Sequence, residues 1–137
     1  MAPRPMSVAF ILCDQVIRDS ASGKWSAIGI FDRILCAGPF PSVQPHIGVY
    51  FRITDAEGDY PITIDVGRLT DEGYEVVTRT DNVRIKVKDR MVQADFGINL
   101  QGVTFPEPGR YQMRLLANGE LIGEWPLNVS LKGTPVT

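Results

Sequence analysis

Short runs rich in valine, isoleucine, threonine and aromatic residues follow one another along the whole chain, separated by turns that contain glycine, proline or acidic residues. No stretch longer than about ten residues repeats its apolar positions with the period of a helix. This spacing is typical of an all-β sandwich or barrel. The predicted strands are Ser7–Ile17, Lys24–Cys36, His46–Thr54, Tyr60–Leu69, Tyr74–Thr80, Val83–Lys88, Met91–Leu100, Tyr111–Leu116 and Glu120–Leu131.

The segment from Gly38 to Pro45 contains three prolines. Proline has no backbone N–H to donate to a strand ladder. We therefore expect this segment to carry the chain from one sheet to the other.

The final hairpin is predicted to close through the three-residue loop Ala117–Gly119. This loop pairs Leu115 with Leu121, so that the apolar residues of both strands face the core. A two-residue loop would place the two apolar sets on opposite faces. In the three-residue loop, Gly119 adopts the left-handed conformation of a G1 bulge. Before this hairpin, Tyr111 follows a Pro-Gly turn, as in the tyrosine corner of immunoglobulin-like and fibronectin-like sandwiches.

The first two strands are apolar on both faces, over Val8–Cys13 and Ala27–Phe31. Two explanations are open. Both strands can be central and covered on each side, or one face can await a partner. The candidate interaction surface comprises Val8, Phe10, Ile28 and Ile30.

The length of 137 residues predicts a single domain over residues 1–137, with flexible ends at 1–6 and 133–137. The net charge is −2, so no strong overall field favours nucleic acid or a membrane surface. The apolar run after Ser7 is too short to cross a bilayer and lacks the features of a secretory signal, so we expect a cytoplasmic protein. Cys13 and Cys36 have no metal-ligand spacing, and a disulfide would break the expected hairpin register, which predicts two buried thiols.

Two acidic turns are the candidates for a metal site. If both turns lie at one end of the sandwich, their oxygens can share a Ca²⁺ ion. The alternative is that they are solubilising turn residues. The acidic residues of these turns are Asp55, Glu57, Asp59, Asp71 and Glu72.

A basic stripe alternates with apolar residues along one predicted strand, at Arg84, Lys86 and Lys88. Such a stripe can hold a phosphate backbone, but lysines also protect edge strands, and no aromatic residues interleave with it. We do not expect nucleic-acid binding.

Candidates for catalysis and sugar binding are few. His46 is the only histidine, and no Gly-x-Ser-x-Gly motif accompanies it. Asp14 and Asp32 each end an apolar run and are conceivable as paired carboxylates. Trp25 and Trp125 can line a sugar site, although core packing is the default for such residues.

Four motifs together resemble a family of short bacterial proteins of unknown function, each consisting of little besides one β-sandwich. The resemblance covers nearly the whole chain and implies this fold and a bacterial cytoplasmic setting, with no activity or catalytic residues. The motifs are Ile11-Leu12-Cys13-Asp14, Gly29-Ile30-Phe31-Asp32-Arg33-Ile34, Phe105-Pro106-Glu107-Pro108-Gly109-x-Tyr111 and Asn118-Gly119-Glu120-x-x-Gly123-Glu124.

The sequence therefore predicts an immunoglobulin-like sandwich of about eight or nine mostly antiparallel strands. The leading functional hypothesis is a non-catalytic interaction or structural module without a cofactor, which binds a protein partner or itself. The alternative is a module that binds Ca²⁺ or carbohydrate at the loop end.

Overall fold

Ten strands form two stacked β-sheets in the computed structural model, which describes residues 5–80 and 83–133. No helix occurs within these residues. The all-β prediction is confirmed. The strands are β1 (Met6–Arg18), β2 (Trp25–Ile30), β3 (Arg33–Cys36), β4 (Ser42–Thr54), β5 (Gly58–Thr70), β6 (Gly73–Arg79), β7 (Val83–Val87), β8 (Ala94–Phe105), β9 (Gly109–Ala117) and β10 (Glu120–Leu131).

The four-stranded sheet has the order β2-β1-β4-β8, and the six-stranded sheet has the order β3-β10-β9-β5-β6. Strand β7 pairs with the first half of β5, beside β6. All pairs are antiparallel except β3 with β10. The prediction of two mostly antiparallel sheets is therefore confirmed.

The predicted strand Lys24–Cys36 is in fact two strands in different sheets. The N–H of Phe31 donates to the carbonyl of Leu12 in the four-stranded sheet, 3.0 Å away. The carbonyl of the next residue, Asp32, accepts from Asn128 in the six-stranded sheet, also at 3.0 Å. The single-strand prediction was wrong because the segment is apolar on both sides of this crossing. The later crossing from β3 to β4 is confirmed, but the loop is shorter than predicted. Strand β4 already begins at Ser42, and Gln44 pairs with Val103 of β8, so the second half of the proline-rich segment belongs to a strand.

The core lies between the sheets and follows the two-residue alternation of the strands. On β4, for example, Ile47, Val49, Phe51 and Ile53 are fully buried. Their counterparts across the core come from β5 and β9. These residues are Ile62, Ile64, Val66, Tyr111, Met113 and Leu115.

The final hairpin brings its apolar faces together, but the predicted loop was wrong. Ala117 pairs with Glu120, which leaves a two-residue turn in which Asn118 and Gly119 have φ values of 53° and 80°. Two positive φ values define the type I′ turn that favours Asn-Gly. A bulge between Leu121 and Gly123 then shifts the register, and this shift restores the facing that the turn alone would lose.

Tyrosine hydroxyls anchor two loops. The hydroxyl of Tyr111 donates to the carbonyl of Glu107 at 2.6 Å, so the predicted tyrosine corner is confirmed. Tyr60 makes an equivalent contact that the sequence analysis missed. Its hydroxyl donates to the carbonyl of Glu57 at 3.1 Å and accepts from the Glu57 N–H at 2.9 Å.

Both cysteines are buried and free, as predicted. Cys13 faces Ile30, one position from the expected partner, while Cys36 lies on β3 in the other sheet. Of the predicted flexible ends, residues 1–4 and 134–137 lie outside the described residues. Met6 already belongs to β1 and pairs with Thr54.

Candidate functional site

Three of the four predicted interaction residues are exposed. Val8, Ile28 and Ile30 expose 49%, 49% and 61% of their surface. Phe10 is buried in the core, so its assignment to the surface was wrong. The reason is a bulge at Val8, which shifts the register of β1 against β4 between Ser7 and Ala9 and turns Phe10 inward.

The second half of β1 and the whole of β2 form a hairpin that we call the arm (residues 14–30). In this hairpin Gln15 pairs with Ile28, and Ile17 pairs with Ser26. Directly paired residues of an antiparallel ladder point to the same face. Ile17, Ile28 and Ile30 therefore share the outer face of the arm, and all three are exposed.

The inner face of the arm packs on two glycines of the four-stranded sheet. A Cβ on Gly97 would lie 2.5 Å from the Trp25 ring and 2.8 Å from the Val16 side chain. A Cβ on Gly48 would lie 2.9 Å from the backbone nitrogen of Val16. The side chain of Asn99 fixes this contact, because its Oδ1 accepts from the Val16 N–H at 3.0 Å and its Nδ2 donates to the Val16 carbonyl at 3.1 Å.

Strand β1 is central, but β2 lies at the edge of its sheet, so the explanation that both strands are central was wrong for β2. The six residues of β2 include neither a charged residue nor a proline. Natural edge strands usually carry such residues, which prevent pairing with another chain. All the remaining edge strands among the described residues carry charge. The charged residues are Arg33 on β3, Glu75 and Arg79 on β6, Arg84 and Lys86 on β7, and Asp95 on β8.

A polar groove of about 480 Å³ lies where the arm joins the sheet. Its walls come from β1, β4 and β8, and His46 and Gln101 are directly paired within it. A second depression, which also includes Asp14 and Gln44, continues it toward β3. The groove is lined by Asp14, Gln15, Gln44, Pro45, His46, Asn99 and Gln101.

The position of Asp14 in this groove depends on a glycine. Gly29 has a φ of 70°, and a Cβ at this position would overlap the Asp14 carboxylate. Only glycine adopts this conformation without strain and leaves the space open. The hairpin thus places the carboxylate at the rim of the groove.

The candidate catalytic residues are only partly brought together. The groove joins Asp14 with His46, but Asp32 does not line it. Trp25 packs on Gly97 beneath the arm, and Trp125 packs against the core from the other sheet.

The two acidic turns lie at opposite ends of β5, which has 13 residues. At a rise of about 3.3 Å per residue, some 40 Å separates them, so they cannot share one ion. The Asp55 carboxylate is instead paired with Arg90, whose hydrogen bonds lower the pKa of Asp55. Within residues 5–80 and 83–133, no group of three or more His, Cys, Asp or Glu side chains is arranged to hold a metal ion.

The basic stripe alternates as predicted. Arg84, Lys86 and Lys88 are exposed, while Ile85 and Val87 on the same segment are buried. Asp59 is paired directly with Lys86 across the ladder between β5 and β7. An acidic residue therefore interrupts the positive charge of this face. The absence of nucleic-acid binding stays a prediction.

Residues 8–130 match the model of DUF6941, a family of unknown function. The chain belongs to DUF6941. This confirms the resemblance inferred from the four motifs. The chain matches no curated protein.

Two solved structures from Pseudomonas are among those similar to this DUF6941 chain. The alkylpurine DNA glycosylase AlkC of Pseudomonas fluorescens, solved with DNA containing an abasic site analogue, has a TM-score of 0.52 and 13% identity, covering 72% of this chain and 27% of that one. An immunoglobulin-like protein of Pseudomonas aeruginosa has a TM-score of 0.42 and 16% identity over 92% and 96% of the two chains. The DUF6941 chain is an immunoglobulin-like β-sandwich. It spans about a quarter of the glycosylase, and the likeness concerns the fold alone.

No helix long and apolar enough to span a membrane is found in the described part of the DUF6941 chain.

A buried charge cluster on the outer face of the six-stranded sheet escaped the sequence analysis. Asp65 is fully buried and accepts two hydrogen bonds from Arg114, at 3.0 and 2.9 Å, and one from the Tyr74 hydroxyl at 2.7 Å. Arg79 lies 3.5 Å from the same carboxylate. The Tyr74 ring covers Gly67, where a Cβ would overlap it, and the Arg114 guanidinium lies 3.8 Å from the ring centroid.

The environment of this cluster shifts two pKa values. Burial alone would raise the pKa of Asp65, but the hydrogen bonds from Arg114 and Tyr74 and the nearby positive charges outweigh it and lower the pKa. Burial and the bond to Asp65 raise the pKa of Tyr74. Both oxygens of the Asp65 carboxylate accept hydrogen bonds from side chains, so the cluster is typical of a structural network.

Proposed function

We propose that the chain is a non-catalytic protein-interaction module that uses β2 as its docking edge, and that the partner is a second copy of the chain. The observation that carries the proposal is that β2 has no charged residue, whereas all the other edge strands within the described residues carry charge. The groove next to it supports a non-catalytic function, because no hydroxyl or thiol side chain lines it.

A second copy fits this edge by symmetry. In an isologous contact each surface meets itself across a two-fold axis. Opposite residues of an antiparallel ladder point to the same face, so a two-fold pairing must place a residue against its own copy. Pairing centred on Ile28 sets Ile30 beside the partner's Ser26. The isoleucines of both outer faces then form one apolar patch.

The expected affinity is modest. Burying the half-exposed isoleucines of both copies yields roughly 5 kcal/mol, and about six added backbone hydrogen bonds yield a similar amount at ~1 kcal/mol each. Association itself costs about 4–15 kcal/mol. The balance is at best about −7 kcal/mol, which corresponds to a dissociation constant of about 10 µM. Any association is therefore this weak or weaker, so it must be measured at high concentration.

Light scattering coupled to size exclusion tests the proposal between about 10 µM and 1 mM protein, the range in which a weak dimer dissociates. The expected result is a mass that rises toward the dimer with concentration. Ile28→Lys should keep the chain monomeric by placing two like charges together. Val76→Lys, on the exposed edge strand β6 of the other sheet, is the matched control and should not change the association. A monomer throughout, or a dimer that survives Ile28→Lys, would overturn the proposal.

A calcium function for the acidic turns is not proposed, because β5 holds them at opposite ends.

A further inference from the structure

We propose that the polar groove binds a neutral carbohydrate. This site lies on the outer face of the four-stranded sheet beneath the arm, away from the loop end. It is distinct from the proposed self-association site, which uses the free edge of β2.

The groove has the donor and acceptor pattern of a polyhydroxylated ligand. Gln44, Gln101 and Asn99 each carry a carboxamide, which can donate and accept at once. His46 adds a ring with one donor and one acceptor, and Asp14 adds two acceptor oxygens. A sugar hydroxyl likewise donates one hydrogen bond and accepts others, so adjacent hydroxyls can satisfy such a set in pairs.

Most of these groups are unused by the protein itself. Among the described residues, the side chains of Asp14, Gln44, His46 and Gln101 make no hydrogen bond. Asn99 uses one donor and one acceptor to hold Val16, which leaves its second N–H free. In the described part of the chain, four polar side chains of the groove and one N–H of Asn99 are therefore left for a ligand.

Other ligand classes fit the lining less well. An anion would meet the Asp14 carboxylate. Among the described residues, no lysine or arginine lines the groove itself, and Arg33 lies in the depression that continues it. A hard cation such as Ca²⁺ needs six to eight oxygen ligands and usually several carboxylates, whereas this groove offers one. An apolar ligand would find only Pro45. A neutral polyol can form hydrogen bonds with the carboxamides and is not repelled by the Asp14 carboxylate.

Contacts within the chain hold the walls of the groove in place. Asn99 pins the arm at both polar groups of Val16, and Gly48 lets the arm backbone approach closely. Gly29 holds the space for Asp14. The volume of about 480 Å³ lies within the range of small-molecule sites and accommodates one or two sugar rings.

Nuclear magnetic resonance titration of the ¹⁵N-labelled chain tests the proposal, using glucose, mannose, galactose, N-acetylglucosamine and maltose as probes. At least one sugar should shift the side-chain amide signals of Gln44 and Gln101 in a saturable way. Glucuronate and CaCl₂ should shift them much less. The Gln44→Ala/Gln101→Ala double variant should weaken binding at least tenfold, as read from backbone signals around His46. Gln112→Ala on β9, in the other sheet, should not weaken it.

The proposal is overturned if none of the five sugars shifts these signals saturably. Equal binding of glucuronate would assign the site to an anion, and equal binding of CaCl₂ would assign it to a cation. Undiminished binding by a correctly folded double variant would place the sugar elsewhere. Because Ile28 does not line the groove, the sugar titration of Ile28→Lys separates failure of this site from failure of the β2 contact.

Discussion

The Arg114→Leu substitution tests whether the buried Asp65 cluster holds the six-stranded sheet together. It removes both guanidinium hydrogen bonds from a carboxylate that has no access to water. Breaking a buried ion pair by removing one partner costs about 3–5 kcal/mol. The Tyr74 bond and the Arg79 charge remain, which favours the lower end of this range. Losing the contact with the Tyr74 ring adds about 1 kcal/mol.

The pH dependence of the stability of Arg114→Leu shows whether the loss comes from the Asp65 carboxylate. In the native chain the pKa of Asp65 is lowered, so its contribution to stability is present above the unfolded pKa of about 3.9 and is lost as the pH falls through the folded pKa. Without Arg114, burial is opposed less and the folded pKa rises. The variant then regains stability, relative to the native chain, as the pH falls from neutral toward 4.

Urea unfolding followed by tryptophan fluorescence provides the measurement. A loss of about 3–4 kcal/mol lowers the midpoint by roughly 2 M at an m-value near 1.5–2 kcal/mol per M. Arg110→Leu, an exposed arginine on the same strand, is the control and should change stability by less than ~0.5 kcal/mol. An effect of Arg114→Leu no larger than the control, or one that is independent of pH, would refute the argument.

Three further predictions concern other parts of the sandwich. Tyr111→Phe removes the 2.6 Å corner hydrogen bond from a buried side chain and should lower the free energy of unfolding by about 1–2 kcal/mol in urea melts, with an unchanged value contradicting the corner. Gly97→Val should displace the Trp25 ring, seen as a red-shifted emission from Trp25 that a distant surface valine would not produce. Because burial raises the pKa of Cys13 and Cys36 is also buried, neither thiol should react with a disulfide reagent at neutral pH until the chain unfolds, and rapid native labelling would contradict this.

Local pattern predicted most of the strands because alternation and turn chemistry are encoded by neighbouring residues. The tyrosine corner, the sheet crossing after β3 and the alternation of β7 all follow from such short-range signals. The split between β2 and β3 could not be predicted in the same way. Both halves are apolar, and only pairing with Leu12 on one side and Asn128 on the other separates them.

Bulges explain two of the errors. An extra residue at Val8 reverses which side of β1 faces the core, and a bulge between Leu121 and Gly123 corrects the register of the final hairpin. Neither bulge carries a strong sequence signature, because its position depends on how the paired strand packs. The Asn-Gly turn was itself a sufficient signal for the two-residue loop.

The candidate site was the least predictable part. Its amides lie on β4 and β8 and meet beneath the arm only through long-range pairing, such as His46 with Gln101. Glutamine and asparagine are common on exposed strand faces, so their types alone predict no site. A signal for the Asp65 cluster was present, since Asp65 and Arg114 each interrupt an apolar alternation at an outward position.

The arm contributes to both proposed binding sites, the polar groove and the free edge of β2. Asp14 lines the groove, while Ile28 and Ile30 lie on the free edge strand β2. Because Asn99 and the packing on Gly48 and Gly97 hold the arm on the sheet, a ligand in the groove that stabilises the arm also stabilises the free edge of β2. By thermodynamic reciprocity, pairing of a second copy with β2 would then increase the affinity for that ligand by the factor by which the ligand increases the affinity between the copies.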